Sequence, residues 1–140
     1  MMQIDTGSEF GARVVRRLAE ETIGWLTTVG ADGTPQPSPI WFLWDGETAL
    51  IYSQPNTPKL RHIAANPRVS LSLDGNGRGG DIVILTGTAR VDDSAPSSAS
   101  LPAYQAKYAT GIRQLGMTAE SFAQAYSVPI RFTPEKLRGH

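Results

Sequence analysis

The chain has 140 residues, 40% of them hydrophobic, with thirteen basic residues balanced by thirteen acidic ones and no cysteine. That length fits one domain with its own apolar core, the balanced charge leaves no global field to attract nucleic acid or anionic lipid, and the missing thiols exclude disulfides, zinc-thiolate sites and cysteine nucleophiles. No apolar run approaches the length of a membrane span and no basic-then-apolar leader pattern is visible, so the expectation is one domain over residues 1–140, cytoplasmic, with no nucleic-acid partner and no membrane insertion.

In chain order, Phe10, Val14 and Leu18 recur at helical spacing with Arg13, Arg16 and Arg17 between them, which predicts an amphipathic helix from Ser8, its cap, to Glu21. The arginines read as its wet face or as the edge of a ligand groove. Ile23 to Val29 and Thr34 to Trp44 flank Gly30-Ala31-Asp32-Gly33, a hairpin pattern, and Asp45-Gly46 makes the next tight turn. Pro35, Pro37 and Pro39 occupy alternate positions of the second strand. They remove every second ladder donor and demand an edge, a bulge or a ligand alongside. The apolar run Ile40 to Trp44 follows, and alternation faces Trp41 away from Phe42 and Trp44.

Strands at Ala49 to Ser53 and Val69 to Leu73 bracket a short helix, Pro58 to Asn66, ended by Pro67. Thr57 can cap that helix, Pro58 suits its first turn, and Lys59 and Arg61 stand beside its free N–H groups. This is the pattern of an anion site. Gly75 to Gly80 reads as a mobile hairpin loop rather than a phosphate loop, followed by a strand from Asp81 to Val91 and a Ser/Ala/Pro-rich connector. Tyr104, Tyr108, Ile112 and Leu115 predict a helix, Thr118 caps a shorter one carrying Phe122, and a strand from Tyr126 to Phe132 precedes a basic tail with Lys136, Arg138 and His140. Six short, mostly antiparallel strands with helices at the ends predict a mainly β fold, a small barrel with a split, against the competing β-sandwich.

With only His62 and His140 as histidines, a Ser-His-Asp hydrolase lacks parts. A cofactor would carry the chemistry of an enzyme of this kind. His62 is either a solvated helix residue or a contact to an anionic group, and no catalytic side chain stands out.

The segments GTPQPSPIWFLWDG, LIYSQPNTPKLRHIAANPRVSLSL and TGTARV give the chain a resemblance to the flavin/deazaflavin oxidoreductases, the pyridoxamine 5′-phosphate oxidase-like split β-barrels. Within them it looks most like the branch that uses the deazaflavin coenzyme F420. The resemblance implies a homodimer with a cofactor groove at each side of the subunit interface. It implies that the cofactor's tricycle lies against Gln36, Pro37, Ser38, Pro39, Ile40 and Trp41, and that its phosphate and acidic tail meet Ser53, Gln54, Lys59 and Arg61, with Arg68 or Arg78 further along. The ending PIRFTPEKLRGH does not supply the substrate-phosphate residues of the vitamin B6 oxidases. The expected activity is hydride delivery from reduced F420 to an electron-poor double bond of a small organic substrate, with the proton from water or a tyrosine such as Tyr126. Flavin mononucleotide is the alternative cofactor, and a non-catalytic F420 carrier the alternative role.

Overall fold

The apolar spacing from Phe10 to Leu18 folds as predicted. In the computed structural model, which describes residues 2–140, helix α1 runs Glu9–Glu20 and fully buries Val14 and Leu18. Ser8 Oγ accepts the Gly11 N–H at 2.9 Å, satisfying one of the donors that a helix start leaves open. Strands β1 (Gly24–Val29) and β2 (Pro35–Ile40) form the first hairpin. β3 (Leu43–Trp44) and β4 (Ala49–Ser53) form the second, its turn closed by the Asp45 carboxylate, which accepts the Glu47 and Thr48 amides. Helix α2 (Pro58–Ala65) leads to β5 (Arg68–Ser72) and β6 (Val83–Val91), and after a short 3-10 turn at Ser98–Ser100 come α3 (Pro102–Gln114), α4 (Ala119–Ala125) and β7 (Val128–Gly139).

Every pairing is antiparallel, in the order β2-β1-β5-β6-β7-β4-β3. The fold is the expected mainly β split barrel with helices, and it has seven strands rather than six. The extra strand arises because the predicted Thr34–Trp44 strand breaks at Trp41 and Phe42. Its first part pairs with β1 and its second with β4, at opposite edges of the sheet. The chain therefore crosses the opening of the barrel in two residues. Pro35, Pro37 and Pro39 oppose Val29, Thr27 and Trp25. Having no N–H, they fit a strand with a single neighbour.

β7 runs well past the predicted end at Phe132, because the basic tail continues to pair with the start of β6 through backbone bonds that ignore side-chain charge. A bulge at Thr86/Gly87 bends this pair. A side chain at Gly87 would put its Cβ 2.0 Å from the Thr133 carbonyl oxygen.

β4 is buried on both faces and divides the apolar interior. Ala49 and Ile51 face the barrel core with Leu26, Phe42, Leu71, Leu85 and Phe132. Leu50 and Tyr52 face a second, aromatic cluster with Tyr104, Tyr108, Ile112 and Phe122 from α3 and α4. Trp41 and Phe42 fall on opposite sides of this divide, as alternation predicts.

Arg13 and Arg17 are not a wet face. Both pair with Asp81, and Arg17 also donates to the Asp74 and Asp81 carbonyls and to Glu21. With Asn76 Oδ1 accepting the Arg78 and Gly80 amides, these contacts tie the glycine-rich loop to α1, where a free loop was expected.

Candidate functional site

A backbone that leaves the ladder needs new partners for its N–H and C=O. At the split α3 provides them. The Tyr108 hydroxyl accepts the Phe42 N–H at 2.9 Å and lies 2.7 Å from the Thr22 carbonyl and 3.1 Å from that of Phe42. Lys107 Nζ donates to the Phe42 carbonyl at 2.8 Å. Trp41, held on the other side, stacks on Tyr108 at 4.6 Å and on Phe122 at 5.4 Å between ring centroids.

Beside Trp41 opens a cavity of about 340 Å³. One wall is the end of the proline strand, Pro39, Ile40 and Trp41. A second is polar, with Ser53 and Gln54 at the end of β4 and Thr57 and Lys59 at the start of α2. Tyr104, Phe122 and Tyr126 form an aromatic floor, with Ile23 and Leu115 beside it.

Thr57 occupies the cap position of α2, but its side chain makes no capping bond. Ser53 Oγ donates to the Gln54 carbonyl at 2.8 Å, so in the 3.0 Å contact between Ser53 and Thr57 the threonine hydroxyl is the donor. The expected cap is thereby replaced by a link from β4 to α2. The Lys59 backbone N–H is left with no acceptor among the described residues.

Among the described residues Lys59 is the one cation on the cavity wall, and no carboxylate lies there. It makes no ion pair among the described residues, and burial pulls its ammonium below the ordinary lysine range. A half-buried, unpaired ammonium beside a free helix N–H recovers lost solvation when an anion binds. Burial also raises the phenols of Tyr104 and Tyr108, and that of Tyr52 to about 12. They stay neutral at physiological pH and offer hydrogen bonds rather than bases.

Six of the ten predicted site residues thus share one cavity, namely Pro39, Ile40, Trp41, Ser53, Gln54 and Lys59. Gln36, Pro37 and Ser38 lie further along β2, on an open edge of the sheet. Arg61 is exposed and donates to the Asn56 carbonyl at 3.1 Å. His62 is neither free nor in the cavity, since its Nδ1 lies 2.8 Å from Thr28 Oγ1 and links α2 to β1. Sequence reasoning missed Tyr104 and Phe122 as lining residues, because their helical spacing also fits ordinary core. Among the described residues no group of three His, Asp or Glu is placed to hold a metal, and no helix is long and apolar enough to cross a membrane.

A family model described as pyridoxamine 5′-phosphate oxidase matches residues 10–140. Solved structures share the fold. An F420 reductase is 26% identical, with a TM-score of 0.64 over 88% of this chain and 94% of that one. A conserved hypothetical protein from Mycobacterium tuberculosis is 20% identical, with a TM-score of 0.72 over 99% of this chain and 88% of that one. A candidate pyridoxamine 5′-phosphate oxidase from Listeria innocua is 22% identical, with a TM-score of 0.66 over 91% and 94%. No curated protein matches the chain. The split barrel, its proline-edged opening and a family match over nearly the whole length agree, and the chain belongs to the pyridoxamine 5′-phosphate oxidase family, within the flavin/deazaflavin split-barrel superfamily.

Proposed function

We propose that this protein is a cytoplasmic, homodimeric reductase that uses coenzyme F420 to reduce an electron-poor double bond of a small organic substrate. One observation carries the reading. A flat apolar wall, Pro39 to Trp41, and an unpaired ammonium at a helix start, Lys59, meet in a single cavity, which is the pairing that a planar, phosphorylated cofactor needs. The similarity to an F420 reductase supports the choice of deazaflavin. Flavin mononucleotide is the second reading, because its phosphate would satisfy the same ammonium.

When bound, the reduced cofactor supplies the hydride, and solvent the proton, that saturate the double bond. The chain's part is to bind and orient. Lys59 Nζ and the Lys59 N–H would hold the phosphate, Ser53 and Gln54 would border it, and the strand from Gln36 to Trp41 would carry the ring system. Arg61, exposed two residues further along α2, would follow the acidic tail. Tyr126 lines the cavity and its hydroxyl has no partner among the described residues, so it is free to orient a substrate carbonyl.

A cavity of about 340 Å³ lies at the lower end of the roughly 300–1,000 Å³ typical of small-molecule sites. A tricycle with a phosphorylated tail needs more wall than this. The exposed stretch of β2 and the neighbouring Trp25, 37% exposed, are the surfaces on which a second copy would complete the groove. Light scattering is expected to give twice the chain mass. To test the reaction, the protein is incubated with cyclohexenone and reduced F420 carrying deuterium at C5. Deuterium at the β-carbon of the product is expected. F420 binding without turnover of any enone or quinone would make the protein a carrier.

A further inference from the structure

Lys107 holds a position that stability alone does not explain. Its ammonium is half-buried, and burial lowers its pKa to about 8. Among the described residues it has no ion pair, and Glu21 is the one acid acting on it, from beyond contact distance. The Phe42 ring lies 4.0 Å away and that of Tyr108 5.2 Å away, which returns part of the lost solvation. An apolar side chain of the same length would avoid the remaining cost.

What Lys107 does is specific. It donates to the Phe42 carbonyl at 2.8 Å while Tyr108 takes the N–H of the same residue at 2.9 Å. Both backbone polar groups of Phe42, one of the two residues that bridge the edges of the barrel, are thus gripped by consecutive residues of α3. Trp41, the preceding residue, lies on Tyr108, and a Cβ at Gly111 would come within 3.0 Å of its indole. The grip on Phe42 therefore sets where Ile40 and Trp41 sit in the cavity wall.

We infer that Lys107 and Tyr108 form a clamp on the Phe42 peptide that positions Ile40 and Trp41 for the ligand without touching it. This rests on the proposed cofactor site, and the test separates the two. The three tryptophans are reduced to one by Trp25→Phe and Trp44→Phe, leaving Trp41 as its own reporter. Acrylamide quenching of Trp41, the thermal midpoint, and affinity for F420 and for flavin mononucleotide are then measured in the parent, Lys107→Met, Lys107→Arg and Tyr108→Phe.

Lys107→Met is expected to keep the midpoint within a few degrees, raise the quenching constant about twofold and weaken cofactor binding about tenfold, because a displaced wall loses alignment. Lys107→Arg, which still donates, is expected to restore both. Trp41 shielded as in the parent in both the Met and Phe variants would overturn the clamp, whether affinity holds or falls. So would failure of both to fold. Loosening of Trp41 in the variants, with neither cofactor bound even by the unsubstituted protein that keeps all three tryptophans, would leave the clamp standing and remove the cofactor reading instead.

Discussion

The two faces of β4 look onto apolar clusters of different chemistry. On the barrel side Ile51 packs with Leu26, Leu71, Leu85, Ile130 and Phe132, side chains that bury carbon and little else. On the other side Leu50 and Tyr52 meet Tyr104, Tyr108 and Phe122, and two of the hydroxyls there go to backbone, Tyr52 to the Pro96 carbonyl at 2.6 Å and Tyr108 to Phe42. Burial of each large side chain stabilises by about 1.5–3 kcal/mol in either cluster. The aromatic one also fixes irregular backbone and supplies most of the apolar cavity lining, to which the barrel core adds Ile40. The difference separates what holds the barrel from what shapes its site.

The largest effect on stability is expected in the barrel core. Phe132 is fully buried where β6, β7 and β4 meet, and Phe132→Ala is expected to cost about 3–5 kcal/mol in urea unfolding. Any variant that stays folded should keep its cofactor affinity within a few-fold. On the cavity side the order reverses. Lys59→Ala is expected to weaken cofactor binding by about 1.5–3 kcal/mol, the worth of a hydrogen bond to an ionised group, while its thermal midpoint moves little. Calorimetry at rising salt should show the deficit shrinking.

A seam of charge beside the aromatic cluster gives a smaller effect with a definite sign. The Ser94 hydroxyl and the Arg131 guanidinium, 3.0 Å away, hold Asp92 at about 2, below its ordinary 3.8. Between these values the unfolded chain binds more protons, so this contribution to stability is complete above about pH 4 and lost as pH falls through 2. Asp92→Asn is expected to lower the midpoint at pH 7 and to flatten its fall between pH 4 and 2, the two curves converging at the acid end. Smallest is Arg61→Ala. Its guanidinium is exposed and already bonded to the Asn56 carbonyl, so the loss in cofactor affinity is expected to stay below about 1 kcal/mol. A loss equal to that of Lys59→Ala would mean that both cations grip the same phosphate.

Most of the fold was legible because its signals are local. Ser8 and Thr118 cap their helices, the glycine and aspartate turns fall where read, and Val69, Leu71 and Leu73 alternate into the core. The break at Trp41 and Phe42 was not legible, since the apolar run passes through it unchanged and the groups that bond the freed backbone, Lys107 and Tyr108, lie on α3, 65 and 66 residues later. The site was half legible for the same reason. Lys59 and the prolines carry their meaning in their neighbours, whereas Tyr104 and Phe122 acquire theirs only when α3 and α4 fold against β4.

The cavity between Pro39–Trp41 and Lys59 is proposed to hold a planar, phosphorylated cofactor, with F420 preferred. Titration calorimetry of the purified protein with F420 and with flavin mononucleotide tests it most directly. One F420 per chain is expected to bind at a dissociation constant of micromolar or below, about −8 kcal/mol or tighter, with flavin mononucleotide weaker and both weakened by Lys59→Ala. Tighter binding of flavin mononucleotide would contradict the choice of cofactor, and saturation by neither would contradict the site.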